Sequence, residues 1–330
     1  MILVTKFYRS SIVENFHIGY AVAVDEKGDI LFSAGDSEYP VYIRSTANPF
    51  QVVPLLESGA MEKFNLNDEE IAVMCSSHNG EPYHIEAVSN ILNKIGAKID
   101  DLACGIQPPL DRLSYEQMIL KGRRTTAIYN TCSGKHACMI ALSKALDVAH
   151  NNYTSSNHPV QIKIFEKIKY YSEKDKIPIA IDSCNVPTFF LPLKNIALMY
   201  KKLVEGSDEY LRKIVHIMCL HPKHIAGRNR FDTDFTTVTS GKGISKIGSA
   251  GVRGIGVRTE DGRYIGIAMK VLSGNKQAAD SMAVAIMKHL KLIDEEALEK
   301  LNNYHCPVLK NNSNTETGKI VTEIVLEENE

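Results

Sequence analysis

Four short polar islands gather most of the side chains in this sequence that could do chemistry. They are Ile43-Arg44-Ser45-Thr46-Ala47-Asn48-Pro49-Phe50-Gln51, Met74-Cys75-Ser76-Ser77-His78-Asn79-Gly80-Glu81, Thr131-Cys132-Ser133-Gly134-Lys135-His136-Ala137-Cys138 and Ile181-Asp182-Ser183-Cys184-Asn185-Val186-Pro187-Thr188-Phe189. Each falls where an apolar stretch breaks off, at a strand-to-helix or helix-to-loop junction, the place where functional groups are mounted on rigid elements. One such island is explained equally well by helix caps and turns, which use the same serine, asparagine and glycine residues. Four together point to a site.

Other signatures fail on inspection. Gly134-Lys135-His136 lacks both the earlier glycine and the hydroxyl residue of a phosphate-binding loop. Gly251, Gly254 and Gly256 miss the dinucleotide-binding spacing. His84-Ile85-Glu86 begins like a nucleobase-deaminase site, but no Pro-Cys-x-x-Cys follows it.

The elements that must position the islands follow from the hydrophobic pattern. Residues 1–34 read as strands: 16–24 runs into the turn Asp25-Glu26-Lys27-Gly28, and 29–33 returns. A second hairpin, 252–258 with 263–271, turns on Asp261-Gly262. Residues 319–326 alternate as a half-buried strand. Helical spacing covers a segment from Pro49 and also 83–95, 133–146, 159–171, 207–220 and 275–292, with Pro49 and Pro159 in first-turn positions and Gly96 as a C-cap. Strands at both ends with helices between predict a mixed α/β (α+β) chain. Its mainly antiparallel sheet is closed by N- and C-terminal strands, and a helical insertion lies across it. We expect one domain over 1–330, with a sheet subregion at 1–45 and 235–330 and a mainly helical one at 46–234.

The chain has 330 residues, with 38 Lys and Arg against 39 Asp and Glu, a net charge of -1. That balance argues against a nucleic-acid or membrane-surface footprint. No apolar run reaches the ~18 residues of a membrane span, and no secretory signal is legible. Seven scattered cysteines read as reduced thiols, so a cytoplasmic location is expected.

The islands, with His221-Pro222, Ala226-Gly227-Arg228-Asn229-Arg230-Phe231-Asp232-Thr233 and Gly266-Ile267-Ala268-Met269-Lys270, resemble the asparaginase family typified by the thermolabile, inducible rhizobial enzyme. The resemblance runs in order from about residue 8 to about residue 325. It implies a fold like that of serine β-lactamases and penicillin-binding proteins, a homodimer, and hydrolysis of L-asparagine to L-aspartate and ammonia. It also implies a serine–lysine site beside zinc.

Carried over by position, the family's serines fall on Ser45 and Ser77 and its partner lysine on Lys270. Cys132, Lys135 and Cys184 are the implied zinc ligands, Asp182 orients them, and Arg44 and His136 bind substrate. A neutral serine needs a base to attack an amide, and a lysine serves only when burial or nearby positive charge lowers its pKa. The small Gly266 and Ala268 beside Lys270 suggest a face with room for a ligand. Backbone N–H groups of the Ser77-His78-Asn79-Gly80 turn are candidates for stabilising an oxyanion.

One departure matters. The family has lysine three residues after its first serine, and this chain has Asn48, whose carboxamide cannot accept a proton near neutral pH. If Ser45 is the nucleophile, its proton leaves through Lys270, Lys135 or a water. Two alternatives therefore stand beside asparagine hydrolysis: turnover of another small amide, such as glutamine or a β-aspartyl compound, and a catalytically weakened metal- or ligand-binding member.

Overall fold

The computed structural model describes residues 1–325; Leu326, the last residue of the expected C-terminal strand, lies outside the described residues. The chain divides into two compact units. Among the described residues the first comprises 1–46, 191–205 and the chain from 234 onward, and the second 47–190 and 206–233.

The first unit is built on an antiparallel sheet. Its strands run in the order Val308–Lys310, Glu316–Val325, Ile2–Arg9, Ile12–Val24, Tyr264–Val271, Val252–Arg258, Gly243–Gly248, and Ile30–Ala34 pairs with the inner half of Ile12–Val24. The chain ends meet as expected: Ile2 through Arg9 register against Val325 through Gly318. Both anticipated hairpins form, with Gly28 and Gly262 supplying the positive φ that their turns require (85° and 88°). The strand Gly243–Gly248 was not anticipated, because its polar Ser245 and Lys246 mask the alternation.

Register sorts the side chains of this sheet into two faces, since directly paired residues project to the same side. Lys246, Gly254 and Ala268 align across three strands, as do Gly248, Val252 and Lys270. This face packs against the helix Leu193–Glu205, which the sequence reading left within the helical stretch. The fit is close. A Cβ at Gly266 would lie 2.0 Å from the Ala197 carbonyl oxygen, and one at Gly254 would lie 2.0 Å from the Tyr200 ring. The room beside Lys270 that Gly266 and Ala268 seemed to offer a ligand is thus taken by a helix backbone.

The opposite face carries Arg253, fully buried, which pairs with Asp280 on the helix Lys276–His289 and donates to Ser245 Oγ at 2.7 Å. Lys276 closes the group at 3.1 Å from Asp280. A buried charge persists only with such partners, and removing one of them costs roughly 3–5 kcal/mol.

The second unit is mainly helical. Its helices include Asn48–Glu57, Asp68–Met74, Pro82–Lys94, Ser133–Ala145, Pro159–Ser172 and Glu209–Leu220, each within about two residues of its expected bounds where one was anticipated. Asp68–Met74 starts on a capping box in which Asn67 accepts from the Glu70 amide and Glu70 accepts from that of Asn67. A short hairpin, Ile179–Ile181 with residues 187–189, carries the turn that holds Cys184.

The close approach at Gly266 yields a test. Gly266→Ala drives a methyl into a backbone oxygen that cannot rotate away, so a loss of about 1–3 kcal/mol or more is expected. A urea midpoint unchanged from the parent would show that the helix does not sit against this strand.

Candidate active site

The first unit holds Arg44, Ser45 and Lys270. Arg44 through Ala47 form one turn of 3-10 helix directly before the helix Asn48–Glu57. Arg44 itself has φ 51°, a left-handed conformation that a bulky residue adopts only when its surroundings impose it. Ser45 is 7% exposed. The turn is anchored by the Thr46 hydroxyl, which donates to the Ile43 carbonyl at 2.5 Å, and by the Tyr200 hydroxyl, which donates to the Thr46 carbonyl at 2.8 Å.

Gly248 lies against this turn: a Cβ there would stand 3.1 Å from Ile43 O and 3.2 Å from Arg44 Cβ. Lys246, two residues earlier on the same strand, shares the face of Gly248 and is fully buried, and its Nζ donates to the Ile247 carbonyl at 2.9 Å. This lysine escaped the sequence reading. The available signal was a lysine between apolar residues and a glycine, Ile244-Ser245-Lys246-Ile247-Gly248. Lys270 is half-buried on the neighbouring face position. Its ammonium donates to the Ala250 carbonyl and, at 2.7 Å, to that of Val271, while burial lowers its pKa.

The second unit holds the remaining expected residues. Ser77 follows the helix Asp68–Met74 on an extended loop. The Ser77 amide donates to Ile225 O at 3.0 Å, that of His78 to Thr131 O at 3.2 Å, and that of Asn79 to Ala226 O at 2.9 Å. The Gly80 amide donates to His78 Nδ1 at 3.0 Å. All four N–H groups expected to receive an oxyanion are therefore already engaged, and that expectation is corrected: the loop is a bridge between two neighbouring segments. Asn48 helps to hold it, with Nδ2 donating to Ser76 O at 2.5 Å while its buried Oδ1 has no hydrogen-bond partner among the described residues.

The bridge also joins Ser77 to the thiol cluster. Cys132 stands at the N-terminus of the helix Ser133–Ala145, and its amide donates to Asn130 Oδ1 at 2.9 Å. Lys135, one turn on, is buried with Nζ 3.3 Å from Cys184 Sγ. The nearby Cys132 thiol, aided by the charge of Lys135, lowers the Cys184 pKa to about 2 and so holds it as the thiolate, while the same neighbour and burial push the Cys132 thiol up. Burial disfavours the Lys135 ammonium, but the two sulfurs and Asp182 outweigh it and hold its pKa above the ordinary value.

Asp182 is buried in the turn beside Cys184, where its carboxylate accepts from the Ser183 amide at 2.6 Å. His136 is fully buried and its Nδ1 meets the Tyr153 hydroxyl at 2.7 Å; burial lowers its pKa against the pull of Cys184. Its Nε2 has no hydrogen-bond partner by geometry among the described residues. Two sulfurs, one already ionised, with an amine and a spare imidazole nitrogen beside them, fit a thiophilic divalent ion. The other thiols are different: Cys104, Cys138 and Cys75 are buried, and burial pushes Cys104 up to about 12.

The family model for L-asparaginase II matches residues 5–322. The chain belongs to the L-asparaginase II family. Family membership supports an asparaginase-type amidohydrolase acting on a small molecule. No curated protein matches the sequence. Among solved structures, a beta-lactamase from Sphaerobacter thermophilus DSM 20745 is similar at 12% identity, over 84% of this chain and 93% of that one, with a TM-score of 0.43. The protein Mglu, in its native form in 4.3 M NaCl, is similar at 11% identity over 84% of this chain and 62% of that one, with a TM-score of 0.39. No helix among the described residues is long and apolar enough to cross a membrane.

The bridge predicts a pH response. His78 is fully buried, its Nε2 2.9 Å from Ser133 Oγ, and burial, aided by the charge of Arg230, lowers its pKa from 6.5 to about 3. Between those values the unfolded chain binds the extra proton, so His78 leaves stability intact above pH 6.5 and erodes it as pH falls towards 3. At about 1.4 kcal/mol per pH unit the loss reaches about 2 kcal/mol at pH 5. In urea titrations, the stability difference between parent and His78→Gln should shrink by that amount from pH 7 to pH 5; a constant difference would exclude a neutral buried imidazole.

Proposed function

We propose that this protein hydrolyses L-asparagine to L-aspartate and ammonia through a serine acyl-enzyme, with Ser45 as nucleophile and a lysine of the adjoining sheet face as base. The observation that carries the reading is Lys246: a buried lysine on the strand that abuts the strained Arg44–Ala47 turn, in a chain of the L-asparaginase II family. Lys270, the lysine matched by position to the family pattern, lies on the same face but spends its ammonium on two backbone carbonyls.

In the first step a neutral lysine Nζ takes the Ser45 hydroxyl proton while Oγ bonds to the side-chain carboxamide carbon. The resulting ammonium returns the proton to the amide nitrogen, the C–N bond breaks, and ammonia leaves a β-aspartyl ester. Water then adds to the ester carbon, giving its proton to the same amine. The C–O bond breaks, Oγ recovers a proton, and aspartate departs. Arg44 would pair with the substrate α-carboxylate.

Cys132, Lys135 and Cys184 would hold zinc, with Asp182 and His136 in support. Zinc held there would supply Lewis acidity. To serve as a ligand, Lys135 must first give up its proton, which competition with the metal favours. Ser77, bridged to this cluster, is the second hydroxyl of the reading; its assigned partner Lys270 belongs to the other compact unit. The reading includes a cytosolic homodimer, for which light scattering should give twice the chain mass.

Ammonia release tests the assignment. Removing a general base typically costs 10²–10⁴-fold, so Ser45→Ala and Lys246→Met should each lower kcat by at least about 100-fold. A Lys270→Met variant with the larger loss would transfer the base to Lys270. Full activity in Ser45→Ala together with an inactive Ser77→Ala would transfer the nucleophile to Ser77.

Asn48 favours one further reading, a weakened enzyme, because the side chain at that position is engaged with Ser76 and carries no proton acceptor of use at neutral pH. A large gain from Asn48→Lys in a nearly inactive parent would support it, and no change in an active parent would dismiss it. Glutamine and β-aspartyl amides belong in the same assay, since one methylene is worth only about 1–3 kcal/mol of discrimination.

A further inference from the structure

Outside the thiol cluster, one group among the described residues brings three ligand-type side chains together: Glu69, His221 and His224, whose ligand atoms all lie within 4.8 Å of one another. All three belong to the mainly helical unit. Glu69 sits in the first turn of the helix Asp68–Met74, exposed and aimed at the end of the neighbouring helix Glu209–Leu220. His221 closes that helix, its amide donating to Ile217 O at 3.0 Å, and the following turn Pro222–Ile225 carries His224 three residues on. The His224 amide donates to His221 O at 2.9 Å, and this i, i+3 relation puts both imidazoles on one side of the turn.

The rings are held rather than free to swing. His221 and His224 stand nearly perpendicular, 78° apart with centroids 5.7 Å from each other. Tyr83 packs edge-on to His224 at 5.2 Å, and His84 does so at 6.1 Å. His84 also reaches the carbonyl of Lys223 with Nε2 at 2.9 Å, fixing the backbone between the two histidines. Support of this kind behind a ligand is what sets its orientation.

We propose that Glu69, His221 and His224 form a second metal site, separate from the thiol cluster, that takes a divalent transition ion of the zinc class with water completing the shell. Two imidazoles and one carboxylate are a sufficient donor set for such an ion, at bond lengths of about 2.0–2.2 Å. Those lengths place neighbouring donors about 3.4 Å apart in a tetrahedron. The present spacing, at most 4.8 Å between any two ligand atoms, is within about 1.4 Å of that arrangement.

Position gives the site a consequence. The helix bearing Glu69 runs directly into Cys75-Ser76-Ser77, and the turn bearing His224 ends at Ile225, whose carbonyl receives the Ser77 amide. An ion bound here would clamp together the two segments between which Ser77 is strung.

Titration calorimetry with zinc chloride alone decides the matter, using the full chain. Cys132→Ser/Cys184→Ser, which removes the thiol cluster, should still bind one equivalent of zinc and melt at a higher temperature with it. Adding Glu69→Gln or His221→Gln should weaken that binding about tenfold or more, while magnesium at the same concentration gives no heat. Circular dichroism confirms folding, and the exposed Glu69→Gln serves if a histidine variant does not fold. Absence of zinc binding once the two cysteines are replaced would overturn the proposal. So would equal affinity in the Glu69→Gln and His221→Gln variants, or magnesium binding as tightly as zinc.

Discussion

Three glycines on one sheet face set what the first unit can be. At Gly254, Gly256 and Gly266 any Cβ would collide with Tyr200, Val204 or the backbone of Ala197, at 2.0 to 2.7 Å. Bare backbone is the only surface that admits the helix Leu193–Glu205 this closely. The consequence reaches the candidate nucleophile. With the Tyr200 ring against Gly254, its hydroxyl extends to the Thr46 carbonyl and pins the turn that carries Ser45. Lys246 pairs in register with Gly254, and is therefore buried beside that same ring. The glycines thus seat Tyr200, which in turn holds the turn bearing Ser45.

The thiol cluster solves a different problem, that of keeping charge in a buried place. An ammonium at Lys135 is stable there because of the two sulfurs and the nearby Asp182, and Cys184 is held as a thiolate by its Cys132 neighbour and the charge of Lys135. Each group's protonation state depends on the others, so the set behaves as one titrating unit. In the proposed reading a divalent ion would replace protons by a charge that the same sulfurs already accommodate.

The sequence made the scaffold legible wherever periodicity and turn chemistry agreed. Both hairpins, the pairing of the chain ends and the proline-started helices were readable for that reason. Less visible were features that depend on register between distant strands. Gly266 and Ala268 look like the lining of a cavity until the sheet shows that a helix backbone occupies the space. Lys246 looks like one more polar residue near a glycine until Gly248 is seen against Arg44. The Ser77 loop, rich in small polar residues, suggests free amides, yet each one is consumed in bridging its neighbours. Likewise, Cys132 and Cys184 are 52 positions apart in sequence, and spacing alone gives no reason to pair them. The family resemblance placed them in one ligand set, and the fold sets the Lys135 ammonium, one turn on from Cys132, 3.3 Å from Cys184 Sγ.

Three of the twelve non-glycine residues with positive φ among the described residues adjoin the candidate site. Arg44, Asn185 and Ala250 all have positive φ (51°, 70° and 61°), and they adjoin Ser45, Cys184 and the carbonyl that receives Lys270. Asparagine tolerates this conformation, but arginine and alanine adopt it only against a steric cost of about 1–3 kcal/mol. A glycine at 44 or 250 would relieve that cost. At 250 the chain already has a glycine next door, Gly251 at φ 72°, so the turn is doubly left-handed and its carbonyls point where an extended chain could not send them. At 44 the arginine is retained despite the strain, and what glycine cannot supply there is the guanidinium. In the proposed reading that charge would meet the substrate α-carboxylate, and the strain at Arg44 would be the cost of holding it there.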